Sequence, residues 1–178
     1  MSDDVARVLV LIAGPIAAGK STLARAVADR LRDQGRSVAL VDLDTVAEMA
    51  LPTLPDWAWA HEIHARLVGH WTRVPLEVVV DEGASTRAEV DQVLAGVPGP
   101  TAVITVVLVA DVRRSWERAQ GDPTRGISKD RGFLERVYAQ FERELPALDH
   151  DVLLDAESTS PEQRLAPILA EVERHLAR

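Results

Sequence analysis

The sequence predicts an α/β fold, a three-layer sandwich in which a doubly wound, parallel, five-stranded sheet lies between two layers of helices. Three observations point to it. "VARVLVLIAG" and "TAVITVVLV" are apolar runs of strand length, of the kind that form strands buried on both faces. Five such strand candidates alternate with segments of helical spacing, and this alternation calls for right-handed crossovers between parallel neighbours. Between the first strand and the first helix stands the turn "GPIAAGKST", residues 14–22.

The elements follow in order. The first strand is placed at 5–13 and the first helix at 20–34, where Leu23, Val27 and Leu31 recur four apart with Ala24 and Ala28 beside them. Gly35 is a natural stop for that helix. "SVALV" at 37–41 is the second strand, and 45–74 is a substrate-side insertion carrying three of the four tryptophans and a helix at 57–71. "LEVVVD" at 76–81 gives the third strand, followed by a helix at 86–95. "GVPGP" then turns the chain into the fourth strand, 101–109. Helices at 111–120 and 131–144 bracket residues 121–131, a Gly-, Pro- and Ser-punctuated segment without an apolar stripe that reads as a short lid. "DVLL" at 151–154 is the last strand, and "ESTSPEQ" supplies a cap and a first-turn proline for the helix at 161–177. No linker of domain-separating length and no repeat interrupts this order, so 1–178 is expected to be one domain.

Composition narrows the function. The chain has 178 residues, 47% of them hydrophobic, enough for a packed core without staples. It has no cysteine, which removes disulfides, thiolate metal sites and cysteine nucleophiles. A net charge of −8 argues against a broad nucleic-acid surface or an anionic membrane as partner. The apolar runs are too short to span a bilayer, and "MSDDVARV" lacks the basic and apolar regions of a signal peptide, so a cytoplasmic protein is expected.

The chemistry begins at Gly14, which with Gly19, Lys20 and Ser21 makes the form G-x-x-x-x-G-K-[ST]. Small residues let the backbone curl so that successive N–H groups converge on an anion, and the helix that follows adds its own free N–H groups. In that role Gly14, Pro15, Ile16, Ala17, Ala18, Gly19, Lys20, Ser21 and Thr22 hold the phosphates of a nucleoside triphosphate. Lys20 reaches the β- and γ-phosphates, and the Ser21 hydroxyl faces Mg²⁺. It is one of only two lysines in the chain.

In an open α/β sheet ligands bind outside the carboxyl ends of the strands, and four of the five strand ends here begin with an aspartate: Asp42, Asp81, Asp111 and Asp155. Asp42 and Asp44 follow the second strand, where a carboxylate can accept a hydroxyl proton or hold Mg²⁺ through water. Asp44, or Thr45, can equally cap the next helix. Asp81, and less so Glu82, are candidates for a metal or substrate role at the third strand end. Arg114 and Arg118 share one helix face, with Arg125 and Arg131 beyond them in the lid; a guanidinium fork grips phosphate oxygens and offsets developing charge. "HEIH" does not have the five-residue spacing of H-E-x-x-H, so His61 and His64 are read as structural or substrate-facing. Trp57 and Trp59 are candidates either for an apolar substrate wall or for core packing.

The phosphate loop, the Asp42/Asp44 pair, the strand end "VVVDEG", the arginine-bearing "RRSWERAQGDPTRGISKDR" and the late "DVLLDAESTSPEQ" together resemble the P-loop small-molecule kinases. That group, within the P-loop NTPase superfamily, includes shikimate, gluconate and adenylylsulfate kinases and chloramphenicol phosphotransferase. The glycine triplet that shikimate kinase carries after its third strand is replaced here by "DEGAST". The resemblance implies ATP and Mg²⁺, a small-molecule hydroxyl acceptor, and Asp44 as the group that binds the acceptor and receives its proton, with Asp42 nearer the metal; a chloramphenicol-phosphotransferase-style alignment exchanges the two. The expected site is therefore Lys20, Asp44, Arg118 and Arg125 at the chemistry, and Arg114 with the loop at the nucleotide. Asp42, Asp44, Trp57, Asp81 and Glu82 are expected on the substrate side, and Ser21, Asp42 and Asp81 at the metal. A nucleotide kinase and a non-catalytic nucleotide-binding regulator or NTPase are the competing expectations.

Overall fold

The sheet is assembled from β1 (Val8–Ala13), β2 (Val38–Asp42), β3 (Val78–Glu82), β4 (Ala102–Val109) and β5 (Val152–Asp155), all parallel, in the order β2-β3-β1-β4-β5. These come from a computed structural model that describes residues 6–52, 54–123 and 126–177. β1 lies at the centre with every residue buried, pairing Val8 with Val78 on one side and with Ala102 on the other. A strand covered on both faces has no polar face to spare, which is why its sequence is an unbroken apolar run.

Period-two alternation divides the sheet's side chains between two cores. Val8, Val10, Ile12, Val78 and Val80 pack with Leu23, Val27 and Leu31 of α1 (Lys20–Asp33) and with Leu165, Ile168 and Val172 of α7 (Pro161–Leu176). Leu9, Leu11, Val41 and Val79 face the opposite layer, formed by α3 (Ala58–Trp71), α4 (Arg87–Leu94) and α6 (Arg131–Glu144). Between them in sequence are α2 (Leu43–Glu48) and α5 (Val112–Gly121).

The expected elements are all present, with ends displaced by a few residues. The addition is α2, whose six residues are too few to display a helical repeat. Its cap is neither Asp44 nor Thr45 but Asp42, whose carboxylate accepts from the Thr45 N–H at 3.0 Å. The insertion at 45–74 is thus mostly helical, with α2 and α3 joined through residues 49–57. At the other end Ser160 and Gln163 form a reciprocal capping box, with Pro161 in the first turn of α7. No helix among the described residues is long and apolar enough to cross a membrane.

Candidate functional site

β1 ends where β4 runs closest to it, and that approach needs a glycine. A Cβ at Gly14 would stand 2.4 Å from the Leu108 carbonyl oxygen. The loop then curls through left-handed backbone at Ala17 (φ 62°) and Gly19 (φ 104°) before α1 begins. The Lys20 side chain arches back over the curl, and its ammonium donates to the carbonyls of Gly14 (2.8 Å) and Pro15 (3.0 Å). Ala18 turns its methyl into the core, whereas Ile16, Ala17, Gly19, Lys20, Ser21 and Thr22 line an open cleft.

The outside of the loop is fastened to α5 and α6. Tyr138 donates to the Ile16 carbonyl at 3.2 Å and shares a 2.7 Å hydrogen bond with the Ser115 hydroxyl. Burial pushes the Tyr138 phenol up to about 12, so it stays a neutral donor. Arg118 donates to Ser115 at 2.8 Å, lies 3.5 Å from the Ala17 carbonyl and pairs with Glu157 at 3.0 Å. Arg114 meets the same Glu157 at 3.4 Å. Ser115 and Tyr138 escaped the sequence reading because nothing local marks them, and Glu157 stands in the strand-end stretch after Asp155 without a mark of its own; only the assembled fold brings three distant segments to one loop.

Two adjacent carboxylates at the end of β3 part company. Glu82 has the parity of Val78 and Val80 and points toward α1, where the Ser21 hydroxyl donates to its Oε1 at 2.8 Å. Asp81 has the opposite parity, is fully buried on the α3 side, and lies 2.8 Å from His64 Nε2. Asp81 was expected ahead of Glu82 at a metal or the substrate; strand alternation instead puts Glu82 in the cleft beside Ser21 and Asp81 in the core. Asp42 needs a second correction. One of its oxygens caps α2 and the other meets Arg25 at 3.3 Å, so both are engaged away from Ser21. Asp44, two residues on, is half-buried in the cleft, and among the described residues its carboxylate has no hydrogen bond or ion pair.

Electrostatics at this end are dominated by crowded acid. Burial pushes Glu82 up to about 7; the charge of Lys20 opposes that rise, the charges of Asp42 and Asp44 add to it, and the Ser21 hydrogen bond opposes it. His64 is also raised: burial works against its charged form, and the Asp81 carboxylate and Glu82 outweigh that effect. His64 and His61 diverge rather than converge, His61 lying 3.5 Å from Glu89. No three His, Cys, Asp or Glu side chains among the described residues form a metal cage.

Beyond the loop the cleft is walled by Leu43, Asp44, Trp57, His61, Gly83, Ser85 and Glu89. Gly83 is obligatory, since a Cβ there would come within 2.5 Å of Leu43 Cβ. Ser85 ties this wall to the loop by donating to the Gly14 carbonyl at 2.8 Å, and Glu89 accepts from the Ser85 and Thr86 N–H groups. Of the two tryptophans, Trp57 lines the cleft and Trp59 packs against Leu43, Ala47 and Ala60. Arg125 lies outside the described residues. Within the segment expected to be a lid stands a short 3-10 turn, Ile127–Lys129, whose Lys129 carbonyl accepts from Trp116 and Gln120. Arg131 stacks over the Trp116 ring and pairs with Glu135.

Known proteins share this design. Residues 9–148 match the family described as AAA domain. A 59-residue stretch is 39% identical to a probable adenylyl-sulfate kinase of Pyrococcus abyssi (strain GE5 / Orsay), covering 33% of this chain and 34% of that protein; the chain thus matches about a third of that relative's length. Among solved structures, a sugar kinase from Janibacter sp. HTCC2649 superposes with a TM-score of 0.62 at 21% identity, covering 94% of this chain and 95% of that one. The tunicamycin resistance protein of Deinococcus radiodurans gives 0.62 at 16%, with 93% and 95% covered. A gluconokinase from Sinorhizobium meliloti 1021 gives 0.59 at 15%, with 94% and 92% covered. At such identities the shared property is the fold. The chain belongs to the AAA domain family and carries the α/β fold of the P-loop small-molecule kinases.

Proposed function

We propose that the protein is an ATP-dependent phosphotransferase that moves the γ-phosphoryl group to a hydroxyl of a small molecule. The observation that carries the reading is the content of one cleft. The curled loop with Lys20, the Ser21–Glu82 pair at 2.8 Å and Asp44, without a partner among the described residues, all open into it. A nucleotide switch needs the first two; it has no use for a free carboxylate facing a second, walled space.

Ser21 Oγ and the Glu82 carboxylate are hard oxygen donors side by side, the set that suits Mg²⁺, which keeps most of its waters and takes one or two protein ligands. They would hold the ion, Glu82 directly or through water, and the ion would offset charge on the β- and γ-phosphates. The loop amides and Lys20 orient the triphosphate, Lys20 exchanging its two carbonyl partners for phosphate oxygens. Asp44 accepts the acceptor's hydroxyl proton while the new O–P bond forms and the bond to the β-phosphate bridging oxygen breaks, releasing ADP. Arg118 stands at the loop's outer edge, and Arg114 and Arg125 are assigned with it to the phosphates.

Two measurements test this reading: thermal shift with ATP and Mg²⁺, and ADP release in the presence of hydroxyl acceptors. ATP stabilisation together with acceptor-dependent ADP release is expected. Nucleotide binding with ADP release that no acceptor accelerates would assign the protein to the regulators, and transfer confined to nucleoside monophosphates would make it a nucleotide kinase.

A further inference from the structure

Among the described residues, the acceptor half of the cleft is lined by acidic side chains and by no guanidinium. Its charged walls are Asp44 and Glu89, with His61, Ser85 and the Trp57 ring between them, while Glu82 stands with Ser21 at the phosphate end. Eighteen of the 20 basic residues are arginines, yet among the described residues none lines this cleft. Several are held elsewhere: Arg25 by Asp42, Arg87 by Asp91 and Asp149, and Arg114 and Arg118 by Glu157 on the far side of the loop.

Charge decides what such a space can take. A carboxylate, phosphate or sulfate on the acceptor would lose water beside the Asp44 and Glu89 carboxylates, and like-charge contact is among the strongest devices for rejecting a ligand. Proteins that select anionic ligands place an arginine fork or converging N–H groups at the anion. Here the converging N–H groups belong to the phosphate loop, already assigned to ATP. A polyol can donate its hydroxyls to Asp44 and stack a sugar face on Trp57, which is 37% exposed. A protonated amine gains further from the acidic walls and the indole face.

We propose that the acceptor is a polyhydroxylated compound without an anionic group, neutral or bearing a protonated amine. The proposal rests on the kinase reading above and narrows it. It separates this cleft from one built for a sugar acid or a nucleoside monophosphate.

The test is ATP-dependent transfer to hydroxyl acceptors arranged in matched sets, each neutral sugar or nucleoside beside its aminated, carboxylated and phosphorylated forms. In every reacting set the neutral or aminated member is expected to exceed the anionic one in kcat/KM by tenfold or more. Preference for an anionic member overturns the proposal and leaves the kinase reading standing. ATP binding with transfer to no set overturns both. A variant fixes the cause. Glu89→Gln keeps the capping interaction, because glutamine serves at that position as well as glutamate, but removes one charge from the wall. It is expected to narrow the neutral-to-anionic ratio severalfold; an unchanged ratio would mean that shape, not charge, excludes anions, and would overturn the electrostatic argument.

Discussion

The two ends of the cleft are built in different ways. At the phosphate end the recognition elements are backbone, and the backbone is held from every side. Gly14 is pinned under β4 and bonded to Ala84, Ile16 is held by Tyr138, and α1 follows directly. At the acceptor end the elements are side chains from several places: Leu43 and Asp44 on a six-residue helix, Trp57 and His61 at the start of α3, Ser85 before α4 and Glu89 on it. A triphosphate is the same ligand in every enzyme that uses it, so its site can be fixed into the main chain. An acceptor varies, and its recognition lies where side chains can change without moving the sheet. Substitutions at the first end should therefore abolish function, whereas those at the second should retune it.

The largest effect is expected at Lys20. Lys20→Ala removes the ammonium that the proposed reaction places on the transferring group, and kcat/KM should fall roughly 10²- to 10³-fold, the usual cost of losing one preorganised charge-stabilising donor. Folding should survive, since the ammonium's bonds to the Gly14 and Pro15 carbonyls lie within the loop, outside the two apolar cores. Steady-state kinetics with a circular dichroism melt separates the two. Full turnover in this variant would remove the loop from the mechanism and erase the contrast between the ends.

Next comes Asp44. Asp44→Asn preserves size and hydrogen-bonding capacity but not basicity. Transfer should drop by about 10², toward the low end for general-base loss because a loose transition state asks less of a base. Nucleotide affinity should stay within about twofold, because no loop contact involves Asp44. If ATP binding weakens as much as transfer, Asp44 belongs to the nucleotide end and the division proposed between the ends is wrong.

The same contrast governs what could be read from the sequence. The loop is legible because its conformation demands Gly14, Gly19, Lys20 and Ser21 at fixed spacing, and the strands are legible because double-sided burial leaves only apolar residues. That Asp81 and Glu82 face opposite layers, Glu82 beside Ser21 and Asp81 beside His64, was signalled by strand parity but not used. Glu82 shares the parity of Val78 and Val80, and the right-handed crossover puts α1 and Ser21 on that face. The roles of Tyr138, Ser115 and Glu157 were beyond reach, since each depends on where a distant helix or loop settles. The split between Trp57 and Trp59 likewise depends on the angle at which α3 leaves residues 49–57.

A smaller effect is expected from pH in the nucleotide- and metal-free protein. Folding raises Glu82 from its ordinary value of 4.5 to about 7, so the native state holds this proton more tightly than the unfolded chain does. Its contribution to stability is therefore full below about 4.5 and is lost as the pH rises through 7. His64, raised from 6.5, adds a loss of the same sign at its own folded value. The Glu82 part is on the order of 1–3 kcal/mol. Urea unfolding from pH 5 to 8 should show this decline, and Glu82→Gln should flatten the part attributable to Glu82. An unaltered slope in the variant would mean that the crowded acid at the phosphate end is relieved in some other way.

The smallest effect is expected at Asp42, and it shows how the acceptor end is positioned. Asp42 caps α2 and meets Arg25, whose side chain is 62% exposed. Asparagine caps as well as aspartate does, and an ion pair with so exposed a partner contributes at most a few tenths of a kcal/mol. Asp42→Asn should thus barely move the melting temperature. Asp42→Ala should cost about 1 kcal/mol through the lost cap, a shift of about 2–4 °C in a chain of this size. Because α2 carries Asp44, a loosened cap should also raise the acceptor KM severalfold while leaving the nucleotide KM unchanged. The asparagine variant supplies the control. If it destroys transfer with its fold and ATP binding intact, the carboxylate of Asp42 receives the proton, as the alternative alignment implies, and Asp44 is the accessory. If it behaves like the parent while alanine weakens acceptor binding alone, Asp42 acts only by aiming the short helix that presents Asp44.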